Sequence, residues 1–218
     1  MTRPHPNIAQ FEIGPFKNFV YLILDPGSKQ AAIVDPQKDL SPLLTQMEKD
    51  HRQLTGIFVT HSHHDHVAGL QELVQKFPEV PVYIHPEELH RLKGLDLTTL
   101  KKISDGEVIP VGNLAVRVIH TPGHSTGECC FYLEAEGAPP CVLTGDTVFI
   151  RDCGRTDLET GSTAQMFDSL QKIKALPSKT LIFPGHHYRE EGFSILETEL
   201  RTSPPLLCQS VLELEALP

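Results

Sequence analysis

Short apolar runs, separated by turn-forming residues, recur along the whole chain and predict a series of β-strands. The run over 18–24 is followed by Asp25-Pro26-Gly27, a turn sequence, and then by the run over 31–35, which favours a hairpin. The predicted strands cover residues 11–13, 18–24, 31–35, 55–60, 81–84, 108–111, 114–120, 129–133, 141–144 and 180–183.

Helical patterns alternate with these strands. Ser41 and Pro42 predict the start of a helix, with Ser41 as the N-cap and Pro42 as the first helical residue. Over 163–176 the apolar residues recur at helical spacing and form one stripe. The predicted helices cover 41–51, the segment after residue 66 up to 76, and then 87–102, 163–176, 194–201 and 206–217.

This alternation continues through both halves of the chain, without a Ser/Gly linker or a low-complexity tract. Each half has strands, a helix, a strand and a helix. One core that holds two sheets with helices outside explains this order better than a single open sheet does. We therefore predict an α/β protein with a single domain over residues 1–218.

The composition excludes several classes of protein. Of 218 residues, 39% are hydrophobic and 22% are charged, as in a globular protein, and no apolar run approaches the ~20 residues of a membrane helix. Residues 1–6 lack the apolar core of a signal peptide, so we expect a cytoplasmic protein that does not bind a membrane. A net charge of −9 disfavours a nucleic-acid-binding surface. No exposed apolar stripe identifies a subunit interface, and the oligomeric state stays open.

The five cysteines are Cys129, Cys130, Cys141, Cys153 and Cys208. Their number is odd and no Cys-x-x-Cys pair occurs, so we expect reduced thiols rather than a disulfide framework. Cys129, Cys130 and Cys141 lie in strand-like runs and are predicted to pack in the core. Cys153 lies in a polar loop and is the one thiol with a candidate functional role.

Residues 60–66, Thr-His-Ser-His-His-Asp-His, place five metal-ligand side chains within seven positions. They follow a predicted strand and precede a predicted helix, where α/β proteins often carry their sites. His61 and His63 are two apart, so in extended backbone they project to the same side. Asp65 and His66 can point to a second position nearby. Imidazole and carboxylate ligands suit zinc, iron or manganese, and a solvated polar loop is the alternative.

Three later segments repeat one arrangement: an apolar strand, small residues with a glycine, and a side chain of ligand type. These side chains are His124, Asp146 and His186. We expect each glycine to let the backbone turn sharply before the ligand. Singly, a histidine after a strand is more often a loop or core residue, and an aspartate after glycine is usually a turn or cap residue. Because four separate strand ends carry ligand types, we predict that they converge on metal.

The whole set of motifs resembles the metallo-β-lactamase superfamily. The His-x-His-x-Asp-His signature of that superfamily matches residues 61–66, and its later ligands match the three side chains just named. The resemblance covers nearly the whole chain and implies a four-layer αββα sandwich with two divalent metal ions, zinc or iron or manganese, between the sheets at one edge. It assigns His61, His63 and His124 to the first metal, Asp65, His66 and His186 to the second, and Asp146 as the bridge.

Two cations about 3.5–4 Å apart can share a hydroxide and polarise a carbonyl. Asp65 is then the catalytic residue, which orients the hydroxide and accepts its proton. A thiolate leaves without strong acid assistance because a thiol has a pKa of about 8.5. Hydrolysis of a thioester by a metal-bound hydroxide is therefore the least demanding reaction for such a site.

Within the superfamily, the chain resembles the glyoxalase II branch (hydroxyacylglutathione hydrolases). The resemblance implies that Cys153, Arg155 and Tyr188 contact the substrate, a small acyl-glutathione-like molecule whose carboxylate Arg155 can bind bidentately. Two features depart from that branch. The chain ends soon after His186, without the branch's basic helical extension, and Asp157 replaces a tyrosine.

Two alternatives remain. Residues 150–157 also resemble a loop of the persulfide dioxygenases, which implies one iron on His61, His124 and Asp146 and oxidation of glutathione persulfide. Against this alternative, Ser203-Pro204-Pro205 stands where those enzymes have Asn-Pro-Arg. The second alternative is a metal-binding protein without catalytic activity.

Overall fold

The computed structural model describes residues 2–95 and 98–217, with side chains described from residue 4 onwards. Within these residues, seven strands form a first sheet and lie side by side in chain order. They are β1 (Thr2–His5), β2 (Ile8–Ile13), β3 (Asn18–Leu24), β4 (Gln30–Val34), β5 (Gln53–Phe58), β6 (Val82–Ile84) and β7 (Leu100–Lys102). Strands β1 to β4 pair antiparallel and β4 to β7 pair parallel. Helices α1 (Ser41–Lys49) and α3 (Leu70–Lys76) lie in two of the crossover connections that the parallel half requires.

Six strands of the described chain form the second sheet, in the spatial order β15-β14-β11-β10-β9-β8. They are β8 (Val108–Val111), β9 (Leu114–His120), β10 (Cys129–Glu134), β11 (Cys141–Gly145), β14 (Leu181–Pro184) and β15 (Ser194–Ile195). Only β11 and β14 pair parallel, and helix α4 (Thr163–Lys174) connects them. A small ribbon of β12 (Val148–Phe149) and β13 (Asp152–Cys153) follows β11.

Three apolar clusters define the layers. The central cluster lies between the two sheets and includes Phe19, Tyr21 and Phe58 from the first and Phe131 and Phe183 from the second. A second cluster joins the outer face of the first sheet to α1 and α3, and a third joins the outer face of the second sheet to α4 and the C-terminal helices. The order helix, sheet, sheet, helix confirms the predicted αββα fold.

The side chains of β3 alternate between the two faces of the sheet, and this explains why the strands are continuous apolar runs in the sequence. Phe19, Tyr21 and Ile23 face the other sheet, whereas Val20 and Leu22 face the helices. Every residue of β3 is buried because both faces of the sheet are covered. The helix predicted over 163–176 is present as α4, and no described helix has the length and apolarity to cross a membrane.

The helix predicted over 87–102 is wrong. A 3-10 helix covers Pro86–Arg91, and the chain then turns at Gly94, which has a φ of +93°. Residues Leu100–Lys102 form β7, an edge strand whose two lysines are exposed. Residues 96 and 97 lie outside the described part of the chain. The 3-10 helix ends at Arg91, with Leu92 as its C-cap, and the positive φ of Gly94 then turns the chain away from a helical path.

Four smaller predictions need correction. Ser41 is the first helical residue, and Asp39 rather than Ser41 accepts a hydrogen bond there, from the Ser41 N–H at 3.1 Å. The helix ends at Lys49, two residues early. The segment over 194–201 begins with β15 before α5 (Leu196–Thr202). The segment over 206–217 contains two short helices, α6 (Pro204–Leu207) and α7 (Val211–Glu215), and the strand β1 was not predicted.

Candidate metal centre

The predicted ligands come from loops at one edge of the two sheets. His61 and His63 follow β5, and the one-turn helix α2 (His64–Val67) carries Asp65 and His66. The other three ligands follow β9, β11 and β14 of the second sheet. Backbone hydrogen bonds join the sheets at this edge, from the Phe19 N–H to Gly185 O at 2.7 Å and from the Cys129 N–H to Thr60 O at 2.9 Å.

The structure brings all seven predicted ligands together. Their side chains form three groups, and within each group the ligand atoms lie within 4.8 Å of one another. The groups are His61 with His63 and His124, His61 with His66 and Asp146, and Asp65 with His66 and His186. Since His61 and His66 each belong to two groups, the groups adjoin, and Asp146 lies between the outer two.

The polar atoms of the site are arranged for a cation. His63 Nδ1 lies 2.9 Å from His124 Nε2, and His66 Nε2 lies 3.1 Å from His186 Nε2. At these distances, the two nitrogens of each pair can direct their lone pairs at one shared position. His61 Nε2 and Asp146 Oδ1 are buried without a hydrogen-bond partner among the described residues. Because buried polar atoms are nearly always paired, these two atoms fit a bound metal.

The charge states also fit metal binding. Burial and the neighbouring His124 lower the pKa of His63 to about 4, and burial lowers that of His61 well below its ordinary value. Neutral imidazole is the form that ligates metal. Burial opposes ionisation of Asp146, but His66 and the other imidazoles hold its pKa well below the usual range. His66 differs: burial opposes its protonation, yet Asp146 and Asp35 raise its pKa to about 9, so a metal ion would have to displace a proton from this imidazole.

Four of the histidines are fixed through Nδ1, which leaves Nε2 for the site. The acceptor atoms, with their distances, are Thr60 Oγ1 for His61 (3.1 Å), Asp35 Oδ2 for His66 (3.0 Å), Arg155 O for His124 (2.8 Å) and Phe16 O for His186 (2.9 Å). Such partners set the tautomer and the ring orientation of a ligating histidine. His63 differs, since it presents Nδ1 to the site.

Asp35, Asn18 and Gln37 support the first-sheet ligands, and sequence reasoning did not find them. Asp35 accepts hydrogen bonds from the Thr60 N–H at 2.8 Å and the Thr60 hydroxyl at 2.6 Å, besides contacting His66. Asn18 donates to Asp65 Oδ2 at 2.9 Å, and Gln37 donates to Asp65 O, also at 2.9 Å. Asp35 follows β4 directly, so the rule applied to the later strand ends would have identified it.

Glu128 is a further buried residue that was missed. Its Oε1 accepts a hydrogen bond from the Asp146 N–H at 2.6 Å and lies 3.6 Å from His61 Nδ1. Burial and the nearby Asp146 raise the pKa of Glu128 well above its ordinary value, which favours the protonated carboxyl group. Glu128 directly precedes the apolar strand β10 and has no sequence signal of its own.

The glycines before the later ligands have two different roles. Gly123 and Gly145 have φ values of +147° and +49°, as expected for sharp turns. Gly185 has no positive φ; instead, a Cβ there would overlap Asp146 Oδ1 and the Gly145 carbonyl. The chain bends at Gly185 as expected, but the close approach of Asp146, rather than a positive φ, requires glycine there.

The predicted substrate residues lie beside the ligands. The Tyr188 ring stacks on His186, with centroids 4.8 Å apart, and is 57% exposed. Arg155 contacts His124 through its backbone, but its exposed guanidinium binds Asp157 bidentately at 2.6 and 2.7 Å. Cys153 is half-buried, and burial raises the pKa of its thiol to about 12, so it is not a thiolate nucleophile.

Comparison with known proteins identifies the family. The model of the metallo-beta-lactamase superfamily matches residues 18–186, which include all seven candidate ligands. The chain belongs to the metallo-β-lactamase superfamily. This superfamily binds two metal ions, and the adjoining ligand groups are candidate positions for them.

Three solved structures of the superfamily are similar to the chain. ETHE1 from Myxococcus xanthus is 28% identical, with a TM-score of 0.83 over 97% of this chain and 92% of that one. A metallo-β-lactamase from Staphylococcus aureus is 27% identical, with a TM-score of 0.86 over 100% of this chain and 68% of that one. TTHA1623, solved in a di-iron-bound form, is 30% identical, with a TM-score of 0.76 over 90% of this chain and 98% of that one.

Proposed function

We propose that the protein is a metal-dependent hydrolase that cleaves the thioester of a small acyl-glutathione-like substrate. The main support for this proposal is that the three ligand groups adjoin, because adjoining groups can hold two cations side by side. In this proposal the seven predicted residues are the ligands, with Asp146 between the two ions.

Two bound cations would lower the pKa of water and polarise the substrate carbonyl. The chain itself supplies a fixed proton acceptor, because Asn18 and Gln37 hold the Asp65 side chain and backbone. Asp65 takes the proton of the attacking water. The leaving thiolate needs no protonated side chain, since thiols have a pKa of about 8.5.

Tyr188 and Arg155 are the proposed substrate contacts. Tyr188 presents an exposed ring face beside His186. The Arg155–Asp157 ion pair is exposed, and exposed pairs are weak. A substrate carboxylate can therefore replace Asp157 as the partner of Arg155, at the cost of a contact that contributes little to the fold.

A persulfide dioxygenase is the second candidate. ETHE1, a persulfide dioxygenase, supports it as much as the superfamily supports a hydrolase. Its single iron would lie on His61, His124 and Asp146. His61 shares a ligand group with each of the other two, and His124 Nε2 lies 3.5 Å from Asp146 Oδ2, so these three residues are also close enough together to hold one iron.

Two substrates and one variant separate the candidates. Metal-replete protein is incubated with S-lactoylglutathione while release of free thiol is recorded, and separately with glutathione persulfide while oxygen uptake is recorded. We expect thiol release without oxygen uptake, and its loss in Asp65→Asn. Oxygen uptake that persists in Asp65→Asn, without thioester cleavage, would contradict the hydrolase. Failure of both assays with two metals bound would indicate a metal-binding protein without catalytic activity.

A further inference from the structure

Glu88 is a fully buried carboxylate outside the ligand set. It lies in the middle of the 3-10 helix Pro86–Arg91 and is 0% exposed. Burying a carboxylate costs free energy unless hydrogen bonds compensate it. None of the candidate ligands or substrate contacts lies in this helix.

Glu88 accepts four hydrogen bonds. Oε2 accepts from the Ser62 N–H at 2.7 Å and from the Ser62 hydroxyl at 2.5 Å. Oε1 accepts from the Ser125 hydroxyl at 2.7 Å and from the Gly127 N–H at 2.9 Å. Burial opposes ionisation, but these bonds lower the pKa of Glu88 below its ordinary value, so the group is a carboxylate.

The partners of Glu88 adjoin one group of metal ligands. Ser62 lies between His61 and His63, and Ser125 follows His124 directly. The first loop comes from the first sheet and the second loop from the second sheet. Within the described residues, Glu88 makes no hydrogen bond to the backbone or side chains of residues 64–66 or 185–187, which carry the other metal position.

The close approach of Gly127 to Glu88 fixes the distance between the Gly127 loop and the 3-10 helix. A Cβ at Gly127 would lie 2.8 Å from Glu88 Cγ and 3.0 Å from the Glu88 backbone nitrogen. The loop therefore passes directly against the 3-10 helix. Each oxygen of Glu88 binds a different loop, so the carboxylate sets the distance between them.

We propose that Glu88 is a positioning residue for the first metal position, which it builds by joining the His61–His63 loop to the His124 loop. The inference rests on the ligand assignment proposed above but not on the reaction. Removing the charge should loosen His124 relative to His61 and His63. Partners behind metal ligands of this kind typically contribute 10- to 100-fold in metal affinity.

The test is a Co²⁺ titration of metal-free protein against a competing chelator. Wild type should bind two ions per chain. Glu88→Gln should weaken one of the two by about 10- to 100-fold and leave the other unchanged. The neighbouring exposed Glu87→Gln is the matched control and should bind as wild type. Circular dichroism of the metal-free variants checks the fold.

A double-variant series assigns the weakened position. His186→Ala combined with Glu88→Gln should impair both positions, whereas His124→Ala combined with Glu88→Gln should bind no worse than His124→Ala alone. If Glu88→Gln does not fold, Ser125→Ala, which removes one bond, should weaken the same position. Unchanged affinity, or equal loss at both positions, would overturn the inference. Because no turnover is measured, these results do not depend on whether the protein cleaves thioesters.

Discussion

The five histidines of the site are not equivalent ligands. Four are oriented by a protein acceptor on Nδ1 and offer Nε2, so metal binding needs no change of tautomer. His63 offers Nδ1 and is half-buried. The sequence could predict these side chains as ligands because ligand types follow strand ends. It could not predict the roles of Glu88 and Glu128, because their contacts depend on how the two sheets pack. Asp35 follows β4 directly, so the same strand-end rule could have identified it.

Asp146 tests the ligand assignment at the residue scale. Its carboxylate lies 3.4 to 3.5 Å from the Nε2 atoms of His66, His124 and His186, which belong to both metal positions. We expect Asp146→Ala to bind fewer metal ions per chain and to lose turnover, with an unchanged circular dichroism spectrum. Elemental analysis measures the metal content, and the exposed Asp105→Ala is the control. An unchanged metal count would mean that Asp146 only ends its strand.

Arg155 and Asp157 test the substrate contact. If Arg155 binds a substrate carboxylate, Arg155→Ala should raise KM for S-lactoylglutathione roughly 10- to 150-fold, the range for one hydrogen bond to a charged group. Asp157→Asn should lower KM, because it removes the carboxylate that now competes for the guanidinium. Steady-state kinetics measures both. An unchanged KM in both variants would exclude Arg155 as a substrate contact.

At the scale of secondary-structure elements, the ends of four strands place the candidate ligands. The sequence predicted β5, β9, β11 and β14 because each is a short apolar run between turn residues, a pattern that indicates a buried strand. It failed over 87–102, where a 3-10 helix ends at Arg91 and the chain turns at Gly94. That 3-10 helix carries Glu88.

Gly185 tests how closely two strand ends approach. A Cβ at this position would overlap Asp146 Oδ1. We expect Gly185→Ala to displace Asp146 and to lower the affinity for metal by at least tenfold. A tenfold loss is the lower end of the range seen when the partners of metal ligands are removed. Gly27→Ala, whose Cβ would meet the end of the Asn113 side chain at 2.9 Å and Asp25 Oδ1 at 3.5 Å, is the control. Equal metal affinity in the two variants would contradict this account of Gly185.

At the scale of the whole molecule, the candidate metal centre joins two sheets. The ligands of each metal position come from both sheets, through loops after β5 on one side and after β9 and β14 on the other. The alternation of strands and helices sufficed to predict the αββα layers. The single domain over 1–218 stays a prediction.

Removal of metal should therefore destabilise the whole fold. A ligand that binds only the native state stabilises it by about 4 kcal/mol at 1,000 times its Kd. For a chain of this size, that corresponds to a Tm lower by roughly 8–16 °C after chelation. Differential scanning calorimetry with and without a chelator measures it. The same Tm in both conditions would mean that the metals do not join the sheets.

The convergence of the seven side chains on two cations is tested most directly by crystallography of metal-replete protein at the absorption edge of the bound metal. We expect two anomalous peaks about 3.5–4 Å apart, the first contacted by His61, His63 and His124 and the second by Asp65, His66 and His186, with Asp146 between them. A single peak, or peaks that His124 and His186 do not contact, would contradict the account.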